Sequence, residues 1–156
     1  LIAALKLSDL RFSAAANIVD VGVRRALGNF DLKAPNLSLA LDGNGLEIKG
    51  DATIGPLRGA VRWTEAFSEN AAVRSHYEYR GPVTAEAQRD IGIGLAPFLR
   101  GPVGADLAYD VRRNGTAELS GRLDLAPSEL GFAVLGWAKP AGTPGPAIAF
   151  DGLYGL

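Results

Sequence analysis

Leu37-Ser38-Leu39-Ala40-Leu41-Asp42-Gly43-Asn44-Gly45-Leu46-Glu47-Ile48-Lys49-Gly50-Asp51-Ala52-Thr53-Ile54-Gly55-Pro56-Leu57-Arg58-Gly59-Ala60-Val61-Arg62-Trp63 is the stretch that decides the fold. Its apolar residues recur at every second position, the period of a strand with one buried face. Asp42-Gly43-Asn44-Gly45 supplies a turn, and pairing Leu41 with Leu46 sets Leu39 opposite Ile48 and Leu37 opposite Gly50. Gly55-Pro56 is the next turn. Pairing Ile54 with Leu57 sets Ala52 opposite Gly59, Gly50 opposite Val61 and Ile48 opposite Trp63. A one-residue slip would turn every one of these side chains over, so the agreement between the two turns fixes one apolar face through three strands.

Further along, Val103, Ala105, Leu107, Tyr109 and Val111 alternate with Gly104, Asp106, Ala108, Asp110 and Arg112, and Ala117, Leu119, Gly121, Leu123 and Leu125 return. A two-residue Asn114-Gly115 loop would set Tyr109 against Ser120 and mix the faces. A three-residue loop, Arg113-Asn114-Gly115, sets Tyr109 against Leu119 and Ala105 against Leu123. The spacing therefore predicts a bulged hairpin with Gly115 left-handed. Between the hairpins, Val73 to Tyr79 reads as a strand with Val73, Tyr77 and Tyr79 on one face. Thr84 to Ile91 then reads as a short helix with Thr84 as N-cap, Glu86 in the first turn, and Gly92 or Gly94 as the stop. Weaker strand patterns cover Leu5 to Phe12 and Ile18 to Val23. Pro140 to Pro146 reads as a loop before a last short strand near Ile148.

Composition excludes several function classes. With 16 Lys and Arg against 17 Asp and Glu, the net charge is −1 and no basic run exceeds two residues, so nucleic acid is not an expected partner. Cysteine is absent, which removes disulfides and Cys-based zinc or nucleophile chemistry. Methionine is absent too, which reads as a piece excised from a longer chain, with room upstream for a signal peptide or membrane anchor. No stretch reaches the ~18 to 20 apolar residues of a membrane-spanning helix. The 20 glycines and nine prolines punctuate short alternating runs, as in an all-β chain.

Candidate chemistry is sparse. His76 is the sole histidine, on the polar phase of its strand, and reads as a solvated side chain rather than a metal ligand or catalytic base. Asp106 and Asp110 stand ~13 Å apart at strand rise, beyond the carboxylate spacing of a glycosidase. Gly92-Ile93-Gly94 follows a helix instead of preceding one, which argues against a phosphate cradle. Trp63 and Trp137 could stack on a ligand, though buried sheet aromatics are commoner. The expectation is a protein that is not an enzyme, with no metal and no cofactor.

A sheet with one apolar face must cover it. Two sheets can cover each other as a sandwich, or the face can line a groove for an apolar ligand. Pattern alone ranks the sandwich first.

Three further motifs bear on that choice. Gly45 to Ala52 followed by Leu57-Arg58-Gly59-Ala60-Val61-Arg62-Trp63-Thr64-Glu65-Ala66-Phe67 resembles the "G-x-A … v-x-W-x-E-x-F" hairpin of AsmA-like proteins of the Gram-negative cell envelope. Ala87 to Ile93, then Phe98-Leu99-Arg100-Gly101-Pro102-Val103, resembles the helix and "l-x-G-p-v" strand that follow there. Asp124-Leu125-Ala126-Pro127-Ser128-Glu129-Leu130, then Leu135-Gly136-Trp137-Ala138-Lys139-Pro140-Ala141-Gly142, resembles that family's "DL-x-x-a-x-l … lgW-x-Kp-x-G" ending. Phe150 to Leu156 fits it less well.

That resemblance, to a group related to YhdP and TamB, reverses the order. It implies a mainly β, curved, open antiparallel sheet of hairpins with one short crossing helix at about 84–92, a groove like those of repeat-β-groove, bridge-like lipid-transfer proteins. Residues 1–156 would be a single β-groove segment, with a 37–80 meander, a helix within 84–94, a 101–125 hairpin, and a loop and final strand over 126–150. Implied partners are phospholipid acyl chains and neighbouring repeats of the same chain, with edge-strand self-association possible. The implied location is the periplasm, tethered to the inner membrane through a segment outside this one. On this reading Leu39, Leu41, Ile48, Val61, Leu107, Tyr109, Leu119 and Leu123 line the groove. Small residues (Gly50, Ala52, Gly59, Ala105, Gly121) permit curvature and leave room for the chains.

Overall fold

The computed structural model describes residues 12–27, 29–92 and 98–155. The strand candidate at Leu5 to Arg11 and the alternative helix stop at Gly94 lie outside these residues. Strands β1 (Ser13–Leu27), β2 (Phe30–Asp42), β3 (Gly45–Ile54), β4 (Leu57–Ala66) and β5 (Val73–Val83) form a meander. Helix α1 (Ala85–Asp90) and the short β6 (Leu99–Arg100) lead into β7 (Val103–Arg112) and β8 (Thr116–Asp124). Then come β9 (Glu129–Phe132), a 3-10 turn at Ala133–Leu135, β10 (Trp137–Lys139) and β11 (Ala147–Gly155). Eight strands make one curved antiparallel sheet in the order β1-β2-β3-β4-β5-β7-β8-β11, whose ends do not meet. The fold is mainly β and open, with one short helix, and not a sandwich of two equal sheets.

The registers expected from the turns are the ones observed. Leu39 faces Ile48, Ile48 faces Trp63, and Ile54 faces Leu57. Tyr109 faces Leu119 and Ala105 faces Leu123, across a three-residue loop in which Gly115 has φ +80°. At the first turn the Asp42 carboxylate accepts from the backbone N–H groups of Asn44 (2.7 Å) and Gly45 (3.1 Å), so the side chain replaces the missing ladder partners. Those N–H donors hold the Asp42 carboxyl below its ordinary range. Thr84 caps α1, accepting from the N–H of Ala87 at 3.1 Å, and Gly92 at φ +80° follows its last turn.

Two irregularities escape strict alternation. In β2 the inward phase switches from Leu32 and Ala34 to Leu37, Leu39 and Leu41 across a register shift around Pro35, which has no N–H to give the ladder. In β5 a shift between Val73 and Ser75 pairs Val73 with Arg112, on the polar phase. Val73 therefore does not share the face of Tyr77 and Tyr79, as uninterrupted alternation had implied.

The cover comes from two long connections. Residues 84–102 and 125–146 both leave the sheet at the end where β5 and β8 finish, and there β6 pairs with β9 to build a second sheet, β10-β9-β6. The sequence reading of 126–150 as loop plus a final short strand missed this sheet. It also shortened β11, which pairs with β8 from Ala147 to Gly155. Ala87 of α1 packs with Tyr79, Val83 and Ala105, while Leu99, Val103, Leu125 and Leu130 form the adjoining cluster. Gln88, buried, donates to the carbonyls of Val83 (3.1 Å) and Gly101 (3.2 Å), tying the helix to both of its flanks.

Candidate functional site

Because residues paired across strands share a face, the registers define continuous rows. One row runs Ala16, Leu39, Ile48, Trp63, Tyr77, Tyr109, Leu119, Gly152, crossing all eight strands. The next runs Ile18, Leu37, Gly50, Val61, Tyr79, Leu107, Gly121, Phe150. Leu39, Leu41, Ile48, Val61, Leu107, Tyr109, Leu119 and Leu123 thus do lie on one face, and all eight are half-buried. They divide into two groups. Val61, Leu107 and Leu123 pack against the cluster beneath α1, so they are partly covered by the chain itself. Leu39, Leu41, Tyr109 and Leu119 lie outside that cluster, and Ile48 belongs to the smaller core of Ala34, Leu37 and Ala52.

Outside the covered end, the centre of the face is aromatic. Trp63 and Tyr77 stack with ring centroids 5.9 Å apart and planes 8° apart, and Tyr109 tilts against Tyr77 at 6.2 Å. Tyr77 is 40% exposed, an unusual state for a central strand with an apolar neighbour on either side. The pairing of Trp63 with Ile48 was legible from the turns, so the aromatic row could have been added to the expected lining. Phe150 and Ile148 could not, because no tight turn sets the register of β11.

The small residues of the face serve the protein more than they leave space. A Cβ on Gly59 would lie 2.4 Å from the carbonyl oxygen of Arg80, and one on Gly121 2.7 Å from Leu107 Cδ2. At Gly50 it would meet the carbonyl oxygen of Asn36 at 2.7 Å. The volume above these glycines is occupied by neighbouring backbone and by Leu37, Leu107 and Phe150, which corrects the expectation of room for acyl chains at those points.

The opposite face is a ladder of charge. Arg62 on β4 bridges Glu47 on β3 (2.7 Å) and Glu78 on β5 (3.3 Å), and Lys49 adds a bond to Glu47 at 2.8 Å. Hydrogen bonds from Lys49 and Arg62 hold the Glu47 carboxyl below its usual range. His76 is half-buried and bonded at both nitrogens, Nδ1 to Asp110 and Nε2 to Glu78, so it is not the solvated residue the sequence suggested. Burial opposes the charged imidazolium, but the bonds to Glu78 and Asp110 outweigh it and raise the His76 pKa above 6.5. The bond from His76 likewise lowers that of Glu78. Asp106, expected to be a plain outward charge, pairs with Arg80 at 2.8 Å.

Thr64 stands directly opposite His76, which in turn faces Asp110, a hydroxyl–imidazole–carboxylate order across three strands. Both imidazole nitrogens are engaged by carboxylates, an arrangement in which the ring is a double donor and has no lone pair for the Thr64 hydroxyl. The row has the form of an ion-pair ladder. Asn114-Gly115-Thr116 has the Asn-x-Thr spacing of a glycosylation acceptor. In the fold it shapes the hairpin tip, with Asn114 Oδ1 accepting from the N–H (3.0 Å) and hydroxyl (2.7 Å) of Thr116.

Among the described residues no group of three or more His, Cys, Asp and Glu could hold a metal ion, and no helix is long and apolar enough to cross a membrane. No family model, curated protein or solved structure matches the chain.

Proposed function

We propose that this chain is a segment of an envelope-spanning protein whose apolar face forms a trough for phospholipid acyl chains passing between the inner and outer membranes. The observation that carries the reading is a largely apolar face running across eight strands and, among the described residues, covered by a helix and a second sheet at one end. A face of this kind binds by burial alone, at roughly 25 cal/mol per Å² of apolar surface removed from water, and requires no reacting group. The AsmA-like motifs supply the location, periplasmic and tethered to the inner membrane, and the lipid class. Leu39, Leu41, Tyr109 and Leu119, with Trp63 and Tyr77, would contact the chains, and Val61, Leu107 and Leu123 would form the stop beneath α1.

The test is organic extraction and mass analysis of the chain purified from a Gram-negative host, with Leu119→Asp beside it. Leu119 lies outside the core clusters, so the variant should fold and lose most of its co-purified phospholipid. Undiminished phospholipid on folded Leu119→Asp, or none on the parent chain, would refute the trough.

A second reading is an assembly module that joins neighbouring repeats or further copies through the outer edges of β1 and β11, the end strands of the sheet among the described residues. One observation weighs against free edge pairing at β1. Asp20 (φ +51°) and Arg25 (φ +52°) sit in the left-handed region and break the flat edge that a partner strand would need.

A further inference from the structure

The β9–β10 hairpin ends in a tip that none of the described residues covers. Val134 is 98% exposed and Leu135 76%, on a 3-10 turn closed by Gly136 at φ +60°. Behind them Phe132 stacks on Phe98 at 5.6 Å and tilts against Trp137 at 5.8 Å, and all three rings are partly exposed. Sequence reading had left Trp137 as either a stacking or a core aromatic, and the structure places it at the surface.

Leu130 to Ala138 contains no charged residue. The cation that ends the hairpin, Lys139, is turned inward and buried. Its Nζ donates to the carbonyls of Ala126 (3.1 Å), Ser128 (2.8 Å) and Pro140 (3.1 Å), so it contributes nothing to the tip.

We infer that this tip seats in the interfacial layer of a lipid bilayer, with Val134 and Leu135 below the headgroups and Trp137 at their level. The five residues expose roughly 450–800 Å² of surface, taking about 150–250 Å² for each when fully open. That reaches or passes the ~300–600 Å² found for the largest patches on monomers, and does not exceed the ~800 Å² per partner of a stable protein interface. The patch is also a projecting turn, which a rigid partner would have to meet with a matching socket, whereas a bilayer deforms around it. An indole beside a small aliphatic wedge is the composition that settles at a membrane–water boundary. With no charge on the tip, attachment depends on apolar insertion and is insensitive to salt. The inference is independent of the trough, which lies on the other sheet.

The test is flotation of the 156-residue chain with phosphatidylcholine vesicles at low and high salt. A Trp63→Phe background makes Trp137 the sole indole. The chain should float equally at both salt levels, with its emission shifted to shorter wavelength on vesicles. Val134→Asp combined with Leu135→Asp should lower partitioning at least tenfold, and the milder Leu135→Ser should lower it to a smaller degree. Absence of flotation, flotation undiminished by the paired substitution, or a vesicle-free self-association abolished by that pair would each overturn the assignment.

Discussion

The two ends of the apolar face differ in what covers them, although their sequence pattern is the same. At one end Tyr79, Val83, Val103, Ala105 and Leu125 are buried beneath α1 and the small sheet. At the other, Leu41, Trp63, Tyr109 and Leu119 remain half-buried and Tyr77 stays open. The difference comes from connection length. Tight turns at residues 43–44 and 113–115 return the chain at once, and among the described residues no helix or second sheet lies at that end, where Ser75 and Ala117 are nonetheless buried. The connections at 84–102 and 125–146 leave from a common end, and their short strands β6 and β9 pair with each other. Alternation specifies an apolar face, then, but loop length decides whether that face becomes a core or a surface.

Truncating one leucine from each end should separate them most clearly. Leu125→Ala opens a cavity in a closed cluster and should cost about 2–5 kcal/mol, read as a lower urea midpoint with unchanged slope. Leu119→Ala removes a side chain that water already reaches and should cost about 1 kcal/mol. Equal losses would mean the two ends are packed alike.

Lys139 sharpens the comparison at the covered end. Its three carbonyl acceptors hold the turn at 125–128 against the start of the 140–146 loop, and Gly145 leaves room for its stem, a Cβ there falling 2.6 Å from Lys139 Cε. Lys139→Met keeps the volume but leaves buried carbonyls unmatched, and should lower stability by about 2 kcal/mol. Protection of the β9 and β10 amides from hydrogen exchange should fall before that of β3 and β4. A uniform fall would contradict the local role.

The smallest effect belongs to the polar face. The folded-state pKa of His76 lies above 6.5, so its pairing with Glu78 and Asp110 contributes in full below that value and is lost as pH rises through the raised pKa. The melting temperature of the parent should drift down as pH is raised from about 6 to 8, and His76→Gln should flatten that drift. Solvent screens this half-exposed group, so the effect is modest. Retention of lipid should be the same at both pH values, because the ladder and the apolar face lie on opposite sides.

Much of this was legible because turns and periodicity are local. Gly55-Pro56 and Arg113-Asn114-Gly115 each fix a register, and with it the face of every residue on two strands. Thr84 likewise marked the start of α1, and Gly92 was one of the two glycines expected to stop it. The phase changes at Pro35 and Val73 were not legible, since alternation read from one strand cannot show where its partner holds an extra residue. The burial of Lys139, the clasp of His76 and the exposure of Val134 also depended on elements far apart in the chain.

By itself, the sequence determined a set of antiparallel hairpins, the identity of their apolar face and the position of the short helix, because period, turn and cap act over a few residues. Only the tertiary structure decided that the sheet stays open, that its two long connections join to close one end, and that an uncharged aromatic tip is left in solvent. Those outcomes depend on which distant segments meet, and pairing β6 with β9 requires both crossings to arrive at the same end of a sheet already formed.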